Sequence, residues 1–195
     1  MLETAIVLLA AGESRRMGTP KQLLDFRGVP LLRHAALTAI ESECGPVVVV
    51  LGAHAEELRP ALANVPIQSV VNDQWSKGMG TSIQTGLRAL EHRPEVTGAI
   101  LALADQPYIT AEFYRLLVEQ HALTGKSIVA ASYAGTVGVP VYFSRGSFPL
   151  LMALTAEQGC KGVILGNPAD CLRIDCPEAE IDIDTPEDYA SAIAR

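Results

Sequence analysis

Residues 5–21 read AIVLLAAGESRRMGTPK, an apolar run that passes directly into a loop rich in glycine and positive charge. The run at 5–9 predicts a strand buried on both faces, because continuous aliphatic residues are typical of the central strands of a parallel sheet. Gly12 and Gly18 permit tight turns and the close approach of backbone amides to an anion. The segment therefore predicts a strand followed by an anion-binding loop.

Three cations of this loop, Arg15, Arg16 and Lys21, lie within a stretch of seven residues. Such a cluster suits the negative charge of a triphosphate. The spacing differs from that of the Walker A motif, which requires GxxxxGK followed by serine or threonine. A flexible surface turn with solvated charges is the alternative. The position directly after a buried first strand favours the anion site.

Outward from this segment, short apolar runs alternate with helical patterns, which is typical of a parallel sheet flanked by helices. Further strands are predicted at residues 47–51, 67–71, 99–103, 128–132, 139–143 and 172–174. Helices are predicted at 30–41, 55–62, 81–91, 111–123 and 186–194, with Thr110 and Thr185 as N-caps of the last two. The pattern predicts an α/β fold with a mostly parallel sheet.

The composition is that of one packed domain spanning residues 1–195, with 49% hydrophobic residues and neither repeats nor a linker-like segment. The 15 basic and 22 acidic residues give a net charge of −7, which argues against a nucleic-acid partner. No apolar run reaches the roughly 18 to 20 residues that cross a bilayer, which argues against a membrane. The four cysteines form no CxxC pair, so we expect reduced thiols and a cytoplasmic protein.

Ligands of an open parallel sheet gather outside the carboxyl ends of its strands, and two further segments lie there. Gly78 to Ser82 lead into a helix, whose backbone amides suit a phosphate or a base edge. An ordinary helix start capped by Thr81 or Ser82 is the alternative. Asp105 ends a buried strand and suits Mg²⁺, which usually takes one or two carboxylates. An aspartate that caps the following turn is the alternative there.

A pair of carboxylates lies near the end of the chain, in the segment DIDTPEDY at 182–189. Alternation places Asp182 and Asp184 on the same side of an extended segment, where they could complete a metal site with Asp105. The alternative is that they are acidic residues favoured by the dipole at the start of the last helix.

Taken together, these segments resemble the molybdopterin nucleotidyltransferase family, within the wider Rossmann-like nucleotidyltransferases. The resemblance rests on four stretches in order: LAAGESRRMGTPKQLLDFRGVPLL (9–32), VVNDQWSKGMGTSIQTGL (70–87), LADQP (103–107) and DIDTPEDY (182–189). The LAAG form resembles the molybdenum cofactor cytidylyltransferase branch. The family implies a three-layer α/β/α domain that transfers a nucleoside monophosphate to a phosphorylated acceptor and releases pyrophosphate.

For this chain the resemblance implies CMP transfer from CTP to molybdopterin cofactor with Mg²⁺ as cofactor, and a molybdoenzyme or its chaperone as a further partner. Arg16, Lys21 and Asp105 would be catalytic, and Asp105 would hold the metal with Asp184 or Asp182. The implied nucleotide-binding residues are Leu9, Ala10, Ala11, Gly12, Arg16, Lys21, Gly78, Ser82 and Asp105.

Two departures from the family pattern concern the acceptor. The family often shows GHP where this chain has Val139 between Gly138 and Pro140, and GDKGAR where this chain has Cys160 after Gly159. A different acceptor, such as a sugar or alditol phosphate, is therefore an alternative. A catalytically silent nucleotide-binding or cofactor-delivery module is another, although the retained Arg16, Lys21 and Asp105 argue against it.

Overall fold

The aliphatic runs of the sequence form a central sheet, and the segments between them form helices on both of its faces. The computed structural model describes residues 3–195. Its strands are β1 (Glu3–Ala10), β2 (Asp25–Phe26), β3 (Val29–Pro30), β4 (Val47–Leu51), β5 (Gln68–Val71), β6 (Val96–Leu103), β7 (Ile128–Tyr133), β8 (Thr136–Ser144) and β9 (Cys171–Asp175). Its α-helices are α1 (Leu31–Glu41), α2 (Ala55–Leu58), α3 (Met79–Arg88), α4 (Ala111–Thr124), α5 (Phe148–Met152), α6 (Lys161–Gly166) and α7 (Pro186–Ile193).

The main sheet has the strand order β5-β4-β1-β6-β8-β7-β9, and β2 and β3 form a separate hairpin. Both neighbours of β1 lie parallel to it, with Ala10 opposite Leu51 on β4 and Leu9 opposite Leu103 on β6. β8 runs antiparallel to β6 and β7, whereas β9 lies parallel to β7. The sheet is mostly parallel, as predicted.

Side chains of β1 alternate between two apolar cores, one on each face of the sheet. Ile6 and Leu8 belong to the core that α1 and α4 cover. Ala5 and Val7 belong to the core that α3, α5 and α6 cover. The three-layer α/β/α, Rossmann-like architecture implied by the resemblance is therefore confirmed.

The helix starts follow the caps that the sequence predicts. Thr110 accepts a hydrogen bond from the backbone N–H of Phe113, and Thr185 forms a capping box with Asp188 at the start of α7. Within residues 3–195, none of the helices combines the length and the apolar character that crossing a membrane requires.

The bounds of some elements differ from the prediction, as in α3 and β8, which begin earlier than expected. The larger differences occur where proline intervenes or where an element is very short. The predicted helix at 55–62 is α2 followed by a 3-10 helix, Arg59–Leu62, because Pro60 lacks the N–H that an α-helical bond needs. Helix α1 begins at Leu31, since Pro30 pairs with Asp25 in the hairpin. The hairpin, α5 and α6 were not predicted, since so few residues show no periodicity.

The strand order places two loops at one point of the sheet edge. From β1 the chain moves outward to β4 and β5, and then returns through α3 to β6 on the other side of β1. Ligands of open α/β sheets bind outside the carboxyl ends of the strands at which the order reverses. The loops after β1 and β6 meet at that point.

Candidate active site

A cavity of about 340 Å³ opens where the loops after β1 and β6 meet. The predicted nucleotide-binding residues all line it, although they come from three separate stretches of the chain. They are Leu9, Ala10, Ala11, Gly12, Arg16, Lys21, Gly78, Ser82 and Asp105. Asp184 also lines the cavity, so the fold brings the last predicted stretch to the same place.

Two cations and two carboxylates of the cavity form what we call the charged cluster: Arg16, Lys21, Asp105 and Asp184. The Lys21 ammonium donates to Asp105 Oδ2 at 2.5 Å and to Asp184 Oδ1 at 2.6 Å. Arg16 Nη2 donates to the other oxygen of Asp184 at 2.7 Å. Cations predicted to hold an anion thus neutralise carboxylates of the protein.

Burial makes the ion pairs of Lys21 stronger than ordinary surface pairs, since the Lys21 side chain is 11% exposed and that of Asp105 is 19% exposed. Burial by itself lowers the pKa of Lys21, but the carboxylates of Asp105 and Asp184 outweigh it, and the net pKa is raised. Burial raises the pKa of Asp184, and Lys21 and Arg16 outweigh that effect and lower it. The Lys21 ammonium and the Asp184 carboxylate are therefore both ionised at neutral pH.

The carboxylates offer donor atoms that fit a divalent cation. Asp105 Oδ1 is buried and has no hydrogen-bond partner within residues 3–195, as expected of an oxygen that awaits a ligand. The same part of the chain contains no group of three or more His, Cys, Asp or Glu side chains arranged to hold a metal. A metal site built from Asp105 and Asp184 would therefore need phosphate and water oxygens to complete its coordination, and Mg²⁺ is usually bound in this way.

Asp182, the other predicted metal ligand, does not line the cavity. Burial raises its pKa to about 6, and the nearby charges of Asp105 and Asp184 add to the shift. Its role as a metal ligand stays a prediction.

The loop after β1 is held by a residue that we did not predict. Gln22 is 3% exposed, and its Nε2 donates to the carbonyl oxygens of Ala10 at 3.2 Å and Gly12 at 2.9 Å. Its Oε1 accepts from the Ser14 hydroxyl at 3.1 Å. The predicted tight turn occurs at Gly18, where φ is +75°, and Ser14 also has positive φ. Gln22 therefore fixes the backbone of the cavity wall.

A second unpredicted residue, Asn72, lies beyond the end of β5 and is 3% exposed. Its side chain donates to the hydroxyls of Thr81 and Ser82. Helix α3 begins at Met79 with Gly78 at its N-cap position and no side-chain cap, so capping by Thr81 or Ser82 is wrong. A Cβ atom on Gly78, where φ is +129°, would lie 2.5 Å from the carbonyl oxygen of Ala156, so this position requires glycine.

The two departures from the family pattern lie in the core on the α3 side of the sheet. Cys160 is 5% exposed and Val139 packs against the same core. Neither residue lines the cavity. Burial raises the pKa of the Cys160 thiol to about 12, so this cysteine is an inert packing residue.

Comparison with known proteins gives relatives along nearly the whole chain. Purine catabolism protein PucB of Bacillus subtilis (strain 168) is 33% identical over 94% of this chain and 92% of its own length. Nicotine blue oxidoreductase of Paenarthrobacter nicotinovorans is 32% identical over 93% and 92%. Molybdenum cofactor cytidylyltransferase of Escherichia coli (strain K12) is 23% identical over 97% and 95%.

Among solved structures, Rv0371c of Mycobacterium tuberculosis H37Rv superposes with a TM-score of 0.86 and 28% identity, covering 100% of this chain and 99% of that one. A manganese complex of the same protein gives a TM-score of 0.81 and 27% identity, covering 98% of each chain. Residues 6–170 match the family described as the MobA-like NTP transferase domain, and the chain belongs to this nucleotidyltransferase family.

Proposed function

We propose that this protein transfers CMP from CTP to a phosphorylated acceptor, molybdopterin cofactor, with Mg²⁺, and releases pyrophosphate in the cytoplasm. The observation that carries the proposal is the charged cluster in the cavity at the carboxyl ends of β1 and β6. Two cations beside two carboxylates supply what a metal-bound triphosphate requires.

We assign a separate role to each group of residues that lines the cavity. Arg16 and Lys21 bind the triphosphate, and Asp105 holds Mg²⁺ with Asp184. The backbone from Leu9 to Gly12 contacts the base and ribose, and Gly78 and Ser82 contact the nucleotide or the acceptor. These assignments agree with the position of each residue in the cavity.

The reaction needs no general base, because an acceptor phosphate oxygen is already ionised at neutral pH. That oxygen attacks the α-phosphorus in line, a new P–O bond forms, and the bond to the pyrophosphate oxygen breaks. Arg16 and Lys21 turn from Asp184 towards the phosphates and stabilise the charge of the leaving pyrophosphate. Bound Mg²⁺ supplies Lewis acidity and neutralises phosphate charge.

Support for a divalent cation comes from the buried, unpartnered Asp105 Oδ1 and from the related Rv0371c, which has been solved with manganese. Support for CTP and molybdopterin comes from the LAAG form at 9–12 and from the E. coli cytidylyltransferase. A molybdoenzyme or its chaperone is the partner proposed to receive the product.

A panel of nucleotides and acceptors tests this function. Thermal-shift measurements with CTP, GTP, ATP and UTP, each with Mg²⁺, identify the nucleotide, because at equal concentration the ligand with the lowest Kd stabilises the folded protein most. Pyrophosphate release is then measured with molybdopterin cofactor and with sugar and alditol phosphates. Release with molybdopterin and CTP supports the proposal. Release with a sugar or alditol phosphate instead overturns the acceptor, and tight nucleotide binding without release on any acceptor indicates a silent binding module.

A further inference from the structure

The side chain of Asn72 forms a buried hydrogen-bonded hub between β5 and α3. Its Nδ2 donates to Thr81 Oγ1 at 2.8 Å and to Ser82 Oγ at 2.9 Å, and its Oδ1 accepts from the backbone N–H of Gln74 at 2.9 Å. One amide thus uses both of its hydrogens and its oxygen inside the protein.

The hydrogen-bond partners of Asn72 determine the orientation of its side-chain amide. The backbone N–H of Gln74 is a donor and cannot accept, so the amide atom that faces it is the oxygen. The amide nitrogen of Asn72 must then face the two hydroxyls, and each of them receives one of its hydrogens. Both hydroxyls are forced to act as acceptors towards Asn72.

The two hydroxyls differ in where their own hydrogens go. The Thr81 hydroxyl lies 2.8 Å from the carbonyl oxygen of Gly78 and 3.1 Å from that of Gln74, and carbonyl oxygens only accept. The Ser82 hydroxyl accepts from Asn72, and no acceptor within residues 3–195 takes its hydrogen. Because Ser82 lines the cavity, that hydrogen is left for a ligand.

We propose that Asn72 is a positioning residue that makes Ser82 a hydrogen-bond donor towards the nucleotide. The cavity then selects a nucleoside that presents an acceptor at this point, either a carbonyl oxygen or an unprotonated ring nitrogen of the base. This inference rests on the proposed function, since it takes the cavity ligand to be a nucleotide. Asn72 itself does not line the cavity and acts through Ser82.

A double-mutant cycle on Asn72 and Ser82 tests the proposal. Asn72→Asp keeps the shape and the acceptor for Gln74, but its carboxylate takes the Ser82 hydrogen away from the cavity. The affinity for CTP with Mg²⁺, measured by titration calorimetry, should fall by about tenfold or more for Asn72→Asp and by a similar factor for Ser82→Ala. In the Ser82→Ala background, Asn72→Asp should cost less than about twofold, because the directed hydrogen is already absent.

Affinity loss from Asn72→Asp that is equal with and without the Ser82 hydroxyl would overturn the proposal, because it would show a general structural effect. Wild-type affinity in Asn72→Asp would overturn it as well. Asn64→Asp adds the same charge at an exposed position and should leave the affinity unchanged.

A second variant covers the case in which Asn72→Asp does not fold. Asn72→Ser has a side chain too short to hold both hydroxyls, so it should weaken CTP binding in the wild-type background and not in Ser82→Ala. If the wild-type protein binds none of CTP, GTP, ATP and UTP, the proposed function fails as well. If it binds CTP and the two substitutions are additive, this inference alone fails.

Discussion

The charged cluster and the uncharged lining of the cavity are built in opposite ways. In the cluster, the long side chains of Arg16 and Lys21 pair with carboxylates that come from distant parts of the chain. In the uncharged lining, which consists of Ala10 to Gly12, Gln22, Gly78 and Ser82, a buried amide is bonded to two backbone carbonyls. Under the proposed function, the cations of the cluster exchange their carboxylate partners for phosphates, whereas the lining is already held in place by hydrogen bonds within the protein.

This difference divides the work of the site between its two parts. A preformed lining removes the cost of ordering its loops when a ligand binds and so contributes chiefly to binding. Charges that turn towards the phosphates contribute most where charge develops, at the leaving pyrophosphate, and so act chiefly on the rate. Substitutions in the two parts should therefore have different kinetic signatures.

The largest effect is expected from Asp105→Asn, which removes a charge of the cluster while it keeps the shape. Pyrophosphate release at saturating nucleotide should fall by roughly 30- to 1000-fold, which corresponds to about 2 to 4 kcal/mol of barrier. Asp175→Asn, at an exposed position of β9, is the matched control and should retain full activity. Near-normal release from Asp105→Asn would remove this residue from the catalytic machinery.

A smaller effect, of another kind, is expected from Gln22→Glu in the uncharged lining. The carboxylate cannot donate to the carbonyl oxygens of Ala10 and Gly12, so the loop loses two hydrogen bonds and gains repulsion. CTP affinity measured by calorimetry should fall by about 10- to 100-fold. The rate at saturation should change less than the affinity. Gln120→Glu, on α4 and away from the cavity, controls for the added charge, and a loss confined to the rate would contradict the division.

The residues of the charged cluster could be predicted because charged residues, glycines and a position directly after a strand can all be recognised in the sequence alone. The first loop, Asp105 and Asp184 each carry such a signal, and the strand order brings them together. Gln22 and Asn72 carried none, because an isolated amide in a sequence is most often a surface residue. Their roles depend on partners placed by the positive φ of Ser14 and by the turn into α3. The departure at Cys160 gave no sign of its position either, and this residue packs in the core.

In the absence of nucleotide, Lys21→Met should increase the affinity for a divalent cation by about tenfold. Lys21 lies between Asp105 and Asp184, so its charge opposes any other cation at those carboxylates. Removal of the ammonium should tighten the binding of Mn²⁺ alone, followed by electron paramagnetic resonance. Arg59→Met is the matched control, since Arg59 pairs with Glu56 away from the cavity and its side chain is 47% exposed. Equal Mn²⁺ affinity in wild type and Lys21→Met would show that the cluster does not hold this cation.

The smallest effect is expected next to the cluster, at Asp188 in the capping box of α7. Its Oδ2 accepts from the backbone N–H groups of Asp184 at 3.2 Å and Thr185 at 2.8 Å. Loss of a helix cap costs about 1 kcal/mol, so Asp188→Ala should lower Tm by about 2 to 4 °C in a chain of this size. Pyrophosphate release should change by less than about threefold, since Lys21 and Arg16 still hold the Asp184 carboxylate.

The pH dependence of the Tm loss in Asp188→Ala shows whether the loss comes from the charge of this helix cap. The hydrogen bond with Thr185 lowers the pKa of Asp188 below its ordinary value. A carboxylate with a lowered pKa stabilises the fold above the pKa of the unfolded chain, about 3.9, and loses that contribution as the pH falls through the folded-state pKa. The Tm difference between wild type and Asp188→Ala, measured by calorimetry, should therefore be full at pH 7 and shrink towards pH 3. A Tm difference that is the same at pH 7 and at pH 3 would mean that the charge of the Asp188 carboxylate does not contribute to the stability of the fold.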